Sequence, residues 1–185
     1  MNLYLRVLLV TIGSFFRERL KDIFTASRLR LHVLPNDLDF NGHMNNGRYL
    51  TIMDLGRFDL ILRNGLFRLM LKQKSVPILG AVKIRYRLPL MPFQTYDLET
   101  KVIGWDDKWV FMEQRFIIVK GSKAGAVAAI AVLKGSFFDK RSHTTVPTDV
   151  LLKALGWAHP SPDLPAHVRK WQEAEDALRD VTRTD

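Results

Sequence analysis

Residues 37–63 read DLDFNGHMNNGRYLTIMDLGRFDLILR, a polar loop running straight into a helix that is apolar almost all round. From Asn46 to Arg63 the apolar side chains are Leu50, Ile52, Met53, Leu55, Phe58, Leu60, Ile61 and Leu62, and only Asp54, Arg57 and Asp59 interrupt them. A helix with so little polar face is a buried helix. Asn64-Gly65 closes it in the manner of a left-handed cap. Asp54 and Arg57, at i and i+3, are expected to pair. A helix buried on every side needs a surround, and the flanking sequence supplies strands.

Before the loop, Ser27–Leu34 alternates Leu29, Leu31 and Val33 with Arg28, Arg30 and His32, and Pro35 ends it. After the helix, the chain reads as strands as far as Lys140. Ala81–Leu88 sets Val82, Ile84, Tyr86 and Leu88 against Lys83, Arg85 and Arg87, a half-buried strand with a basic outer face. Thr95–Trp105, Lys108–Val119 and Ala126–Phe138 follow, joined at Asp106-Asp107 and at Gly121–Gly125. Long strands linked by short turns predict an antiparallel meander. The layout is α+β, with a sheet wrapped around one long central helix. Pro147–Leu155 and Leu164–Arg179 read as C-terminal helices. The chain divides into an N-terminal amphipathic helix (1–26), a central domain (27–140) and a C-terminal helical extension (141–185).

At 185 residues, 47% of them hydrophobic and 25% charged, the chain suits one domain and excludes a disordered chain, a collagen or a coiled coil. The absence of cysteine removes disulfides, a thiol nucleophile and thiolate metal sites, and suits a reducing, cytoplasmic setting. The net charge of +9 points to an anionic partner. No acid occurs between Asp59 and Asp97, a stretch holding Arg63, Arg68, Lys72, Lys74, Lys83, Arg85 and Arg87. The aromatic residues are spaced for a core and resemble no RNA-binding motif, so nucleic acid is not the expected partner.

Val7–Phe16 is uncharged but only about half the ~20 residues that a spanning helix needs. No small-x-small cleavage site follows it, so a signal peptide fits poorly. Residues 1–24 carry a stripe of Leu5, Leu8, Leu9, Ile12, Phe16, Leu20 and Ile23. The favoured placement packs that stripe on the chain's own domain or on a dimer partner. The second is a foot on anionic lipid, met by Arg6, Arg17, Arg19 and Lys21.

The loop admits three readings. Asp37, Asp39, Asn41 and Gly42 match the first positions of a calcium loop, but its last ligand would be Arg48, which repels a cation. Asp and Asn also make turns and helix caps, a role suited to Asn45 or Asn46. The third reading is an active site. A helix N-terminus offers unpaired N–H groups to a developing oxyanion, here near Asn46 and Gly47. Asp39 and His43 supply a base or nucleophile and its partner in proton transfer. No metal or cofactor is required. His32, His143, His159 and His167 lack metal-ligand spacing, and no serine sits in a nucleophile elbow.

Asp37-Leu-Asp39-Phe-Asn41-Gly-His43-Met-Asn45-Asn46-Gly-Arg-Tyr49 resembles the signature of hotdog-fold thioesterases. It is similar to the plant acyl-carrier-protein thioesterases and to the 4-hydroxybenzoyl-CoA thioesterase-like acyl-CoA thioesterases, over about residues 27–140. The resemblance implies a sheet curled round the central helix. It also implies a homodimer or dimer of dimers with sites at the subunit interface, and hydrolysis of a CoA- or acyl-carrier-linked thioester. Asp39, Asn41 and His43 fall on positions credited with catalysis in the plant-type enzymes. Those enzymes also use a Glu further along the chain; with no acid between Asp59 and Asp97, that role is empty here or filled differently. The hydratases of the same fold, with D-x4-H, fit worse. Asn46, Gly47 and Tyr49, with Lys83, Arg85 and Arg87 for the CoA phosphates, are the expected substrate contacts. The rival on the same fold is a non-catalytic acyl-CoA-binding protein.

Overall fold

The computed structural model describes residues 2–157 and 159–181. Helix α1 (Asn2–Phe15) is followed by β1 (Ser27–His32), a single 3-10 turn (Pro35–Asp37) and the central helix α2 (Asn46–Arg63). Then come α3 (Leu66–Gln73), β2 (Ser75–Tyr86), β3 (Thr95–Trp105), β4 (Val110–Ile118), β5 (Val127–Asp139), β6 (Thr144–Val146), α4 (Thr148–Ala154) and α5 (Ala166–Val181). The central helix and β3 have the expected bounds. Residue 1 of the expected N-terminal helix, and residues 158 and 182–185 of the expected C-terminal extension, lie outside the described residues.

The antiparallel sheet runs β1-β3-β4-β5-β2, with β6 on β5. Only β3, β4 and β5 form the expected meander. β2 crosses over to pair with β5, which leaves β1 and β2 as edges. Residues 66–73, read above as part of a strand region, form α3 instead. Leu66, Leu69 and Met70 recur at helical spacing and pack against Phe137 and Leu151.

The sheet is curled round α2. Ile52, Met53 and Leu55 are fully buried among Leu98, Phe116, Ala131 and Leu133. On the outer face of the sheet α5 lays Val168 and Trp171 on Phe111 and Val132. There the Lys134 ammonium lies over the rings of Trp109 and Trp171, with Glu175 3.9 Å away. α5 therefore covers part of the outer face of the sheet.

α1 does not dock as expected. It ends at Phe15, and the residues packed inward are Leu3, Arg6, Val7 and Val10. Leu8, Ile12 and Phe16, expected inside, are exposed, while Leu20 and Ile23 are buried beyond the helix end. The helix is apolar on both faces, so spacing alone does not choose between them. The choice is made by Arg6, which turns inward to a buried carboxylate.

The approach of α2 to the sheet depends on Gly56. A Cβ there would lie 2.4 Å from Thr100 Oγ1, 2.7 Å from Gln114 Nε2 and 2.8 Å from Leu98 Cδ2. Gln114 Nε2 itself donates to Thr100 Oγ1 (2.8 Å) and to the Met53 carbonyl (3.0 Å), binding helix to sheet. In an open helix Gly→Ala gains up to about 1 kcal/mol; in this crowded one overpacking costs about 1–3 kcal/mol. Gly56→Ala is therefore expected to destabilise the fold by about 1–3 kcal/mol, read from the urea midpoint. A stabilised variant would mean that the helix stands farther from the sheet.

Candidate active site

The loop preceding α2 is built on Asp37, which is wholly buried. Its Oδ2 accepts from Arg6 of α1 and from the Leu34 backbone N–H (2.9 Å). Its Oδ1 accepts from Arg48 of α2, through both Nε (3.1 Å) and Nη2 (3.0 Å). Its carbonyl accepts from Asn45 N–H (2.8 Å), and Met44 N–H donates to the Leu90 carbonyl (2.9 Å). With both oxygens held by guanidinium groups inside the protein, Asp37 is a strut and not a free base.

On that strut sits a five-residue turn. Asp39 N–H donates to the His43 carbonyl (3.0 Å), and Gly42 N–H to the Asp39 carbonyl (3.0 Å). Gly42 has φ +75°, a left-handed conformation that glycine takes without strain. The Asp39 carboxylate accepts from Asn41 N–H (2.9 Å) and lies 3.7 Å from His43 Nδ1. Thus Asp39 and His43 come together above the N-terminus of α2. Asn41 is exposed beside them.

The cap of that helix is Asn45, whose Oδ1 accepts from Gly47 N–H (2.8 Å). Arg48 N–H goes to the Asn45 carbonyl (2.9 Å). The Gly47 donor expected for an oxyanion is therefore occupied by the cap, and Asn46 N–H is the first-turn donor left to the site. The Asn46 carbonyl accepts from the Tyr86 hydroxyl (3.0 Å). Tyr49 is not at the surface: it is 2% exposed, edge-on to Tyr86 and Phe116. Burial pushes its hydroxyl pKa up to about 12. That ring seats the helix against the sheet.

Lys83, Arg85 and Arg87 are exposed along and just beyond β2. Alternation puts them on the face opposite Val82, Ile84 and Tyr86, which turn toward α2. Within one chain the basic strand and the Asp39–His43 pair do not converge.

Sequence reading did not foresee an apolar cavity of about 360 Å³ beside the C-terminal half of α2. Phe58, Ile61, Ile78, Leu133 and Leu152 help to line it, and Asp54, Arg57 and Asn64 add polar groups. Arg57 pairs with Asp54 and donates to Gln114 Oε1 (3.1 Å), so the expected ion pair is present. Burial lowers the pKa of Arg57 while Asp54 opposes the shift. Among the described residues no group of His, Asp and Glu could hold a metal ion.

Residues 33–172 match the family model of the thioesterase-like superfamily. Protein THEM6 of Xenopus laevis is 31% identical over 184 residues, covering 98% of this chain and 84% of that protein. Protein THEM6 of Drosophila melanogaster is 30% identical, covering 100% and 91%. A probable thioesterase of Saccharomyces cerevisiae is 29% identical over 131 residues, and this chain spans only 54% of its length. The crystal structure of the YbaW probable thioesterase of Escherichia coli superposes with a TM-score of 0.63 at 20% identity, covering 69% of this chain and 94% of that one. A DHNA-CoA thioesterase of Staphylococcus aureus gives 0.59 at 14% identity, covering 86% and 94%. At these identities the structures speak for the fold. The chain belongs to the thioesterase-like superfamily, with the hotdog α+β fold, and is an enzyme of the thioester-hydrolase class.

Removing one partner of a buried ion pair strands the other, at about 3–5 kcal/mol. Asp37→Asn leaves Arg6 and Arg48 facing a neutral amide. It is expected to lower unfolding free energy by about 3–5 kcal/mol in urea titration. A loss below about 1 kcal/mol would mean that the triad behaves as a solvated surface pair.

Proposed function

We propose that this enzyme hydrolyses acyl-CoA thioesters by attack of water on the acyl carbonyl. The observation that carries this is the Asp39–His43 pair, 3.7 Å apart, poised over the N-terminus of α2. Asp39 serves as base or nucleophile. His43 is its partner in proton transfer or holds the thioester, and Asn41 orients water or the acyl carbonyl. Asn46 N–H and the positive end of the helix receive the oxyanion.

The acyl tail enters the apolar cavity beside α2. A second copy completes the site. β2 is an edge strand whose Ile78 and Leu79 remain half-exposed. Its first half lines the cavity, and its last residue, Tyr86, touches the start of α2. Antiparallel pairing of two β2 edges would set the loop of one copy beside the cavity of the other. Lys83, Arg85 and Arg87 then flank the joined edge, where Arg and Lys suit the phosphates of CoA.

Thiol release across a panel of acyl-CoA substrates tests the reading. Asp39→Asn is expected to cut turnover about a hundredfold or more, the scale of a lost general base. Near-normal turnover with an intact fold would move that role to His43. Replacing Lys83, Arg85 and Arg87 together with Gln is expected to raise KM for acyl-CoA with little change in kcat, the signature of lost uniform binding. An unchanged KM at low salt would mean that this face is merely solvated.

A further inference from the structure

The polarity of α1 is inverted. On an ordinary surface helix the charged residues face water. The one charged residue of α1 is Arg6, and it is 6% exposed, held against Asp37 beneath the helix. The outward face carries Tyr4, Leu5, Leu8, Leu9, Ile12 and Phe15, and Phe16 continues it past the helix end. Their exposures run from 48% to 86%. At 100° per residue they sweep an arc of about 140° with no charge in it. The hydroxyls of Thr11 and Ser14 offer no relief, because they donate to the Val7 and Thr11 carbonyls. A single exposed leucine needs no explanation; a contiguous face of this size marks an interaction surface.

Charge decides what covers it. Beneath α1 each buried acid is shared by two arginines. Asp37 pairs with Arg6 and Arg48, and Asp59 with Arg17 and Arg63. Each cluster therefore keeps a positive excess. Arg6, Arg17, Arg30 and His32, with Leu9 and Leu34, line an open cleft of about 250 Å³ between α1 and β1, in which the Arg30 charge is met by Asp97 (2.9 and 3.1 Å) and those of Arg6 and Arg17 are only half met. Exposed Arg19 and Lys21 follow the helix end, flanked by exposed Glu18 and Asp22, so the positive excess of this edge rests on the two arginine-rich clusters. An apolar face bordered by cationic groups, with aromatic rings at both ends, matches the interface of an anionic bilayer. A second copy would bring the same positive fringe against itself. No helix among the described residues is long and apolar enough to cross a membrane.

We propose that α1 lies flat on anionic membranes, its outer face in the acyl–headgroup boundary and the cleft against lipid phosphates. The proposal is independent of the thioesterase reading, since its readout is binding. Full-length protein is to be sedimented with phosphatidylcholine vesicles and with phosphatidylcholine–phosphatidylserine vesicles. It is expected to partition into the latter, and into neutral vesicles much less. Phe15→Ser with Phe16→Ser, and separately Leu8→Glu with Ile12→Glu, are expected to lower the partition coefficient about tenfold or more. The melting temperature and thiol release should not change. Arg19→Glu with Lys21→Glu is expected to lower it about tenfold or more on anionic vesicles only. Two results overturn the proposal. One is failure of the wild-type chain to sediment with either vesicle. The other is a wild-type assembly, in analytical ultracentrifugation, that falls by half in the Phe15→Ser, Phe16→Ser variant, which would put a second copy on this face.

Discussion

The Asp37 carboxylate ties together three parts of the chain that are far apart in sequence. It holds α1 through Arg6, the start of the loop through Leu34 N–H and the first turn of α2 through Arg48. A carboxylate with no solvent access is tolerable only when its charge is met and its lone pairs are used. Here both conditions hold, so the loop has one position. The turn bearing Asp39 and His43 is tied to that fixed point by the Asn45 N–H to Asp37 carbonyl bond and closed on itself by the Asp39 N–H to His43 carbonyl bond. The position of that turn is thus set by a carboxylate whose own oxygens are fully engaged.

The second constraint is the seating of α2. Its N-terminus is aimed at the site only if the helix lies deep in the sheet, and depth comes from the missing side chain at Gly56. Gln114 adds direction. Reaching in from β4, it bonds the Met53 carbonyl, Thr100 and Arg57. The polar groups of the helix are consumed the same way. Asp59 binds Ser27, Arg17 and Arg63, and Asp54 binds Arg57. A helix that looks nearly unbroken in its hydrophobicity is thereby fixed in rotation by its few charges.

Local patterns carried into the sequence reading and long-range partnerships did not. The bounds of α2 follow from Asn45 at one end and Asn64-Gly65 at the other, and the end of β3 from the Asp106-Asp107 turn. Asp39, Asn41 and His43 could be grouped from the sequence because they are close along the chain, and the structure places them on one turn; the roles given to them belong to the proposal. β2 was assigned the wrong neighbour because strand order depends on a crossover that alternation does not encode. α3 was missed because Asn64-Gly65 reads as a stop and the eight residues after it were read into the strand region, although Leu66, Leu69 and Met70 recur at helical spacing. The donor on Gly47 was assigned to catalysis when the Asn45 side chain had already taken it. Tyr49 looked like a site residue by position, yet helix rotation carries it inward to Phe116.

α1 shows most clearly how one buried charge reorganises a reading. Its apolar residues cover both faces, and burying either would satisfy the hydrophobic effect. The cost of an unpaired Asp37 breaks the tie: Arg6 must point inward, and the residues a half-turn away must then point out. Leu8, Ile12 and Phe15 are exposed as a consequence of where Arg6 is needed, not because the helix lacks a surface to pack on. The same hydrogen bond makes α1 and the site loop one mechanical unit. Any force or ligand that holds the outer face of α1 bears, through a single guanidinium group, on the residue to which the Asp39–His43 turn is tied.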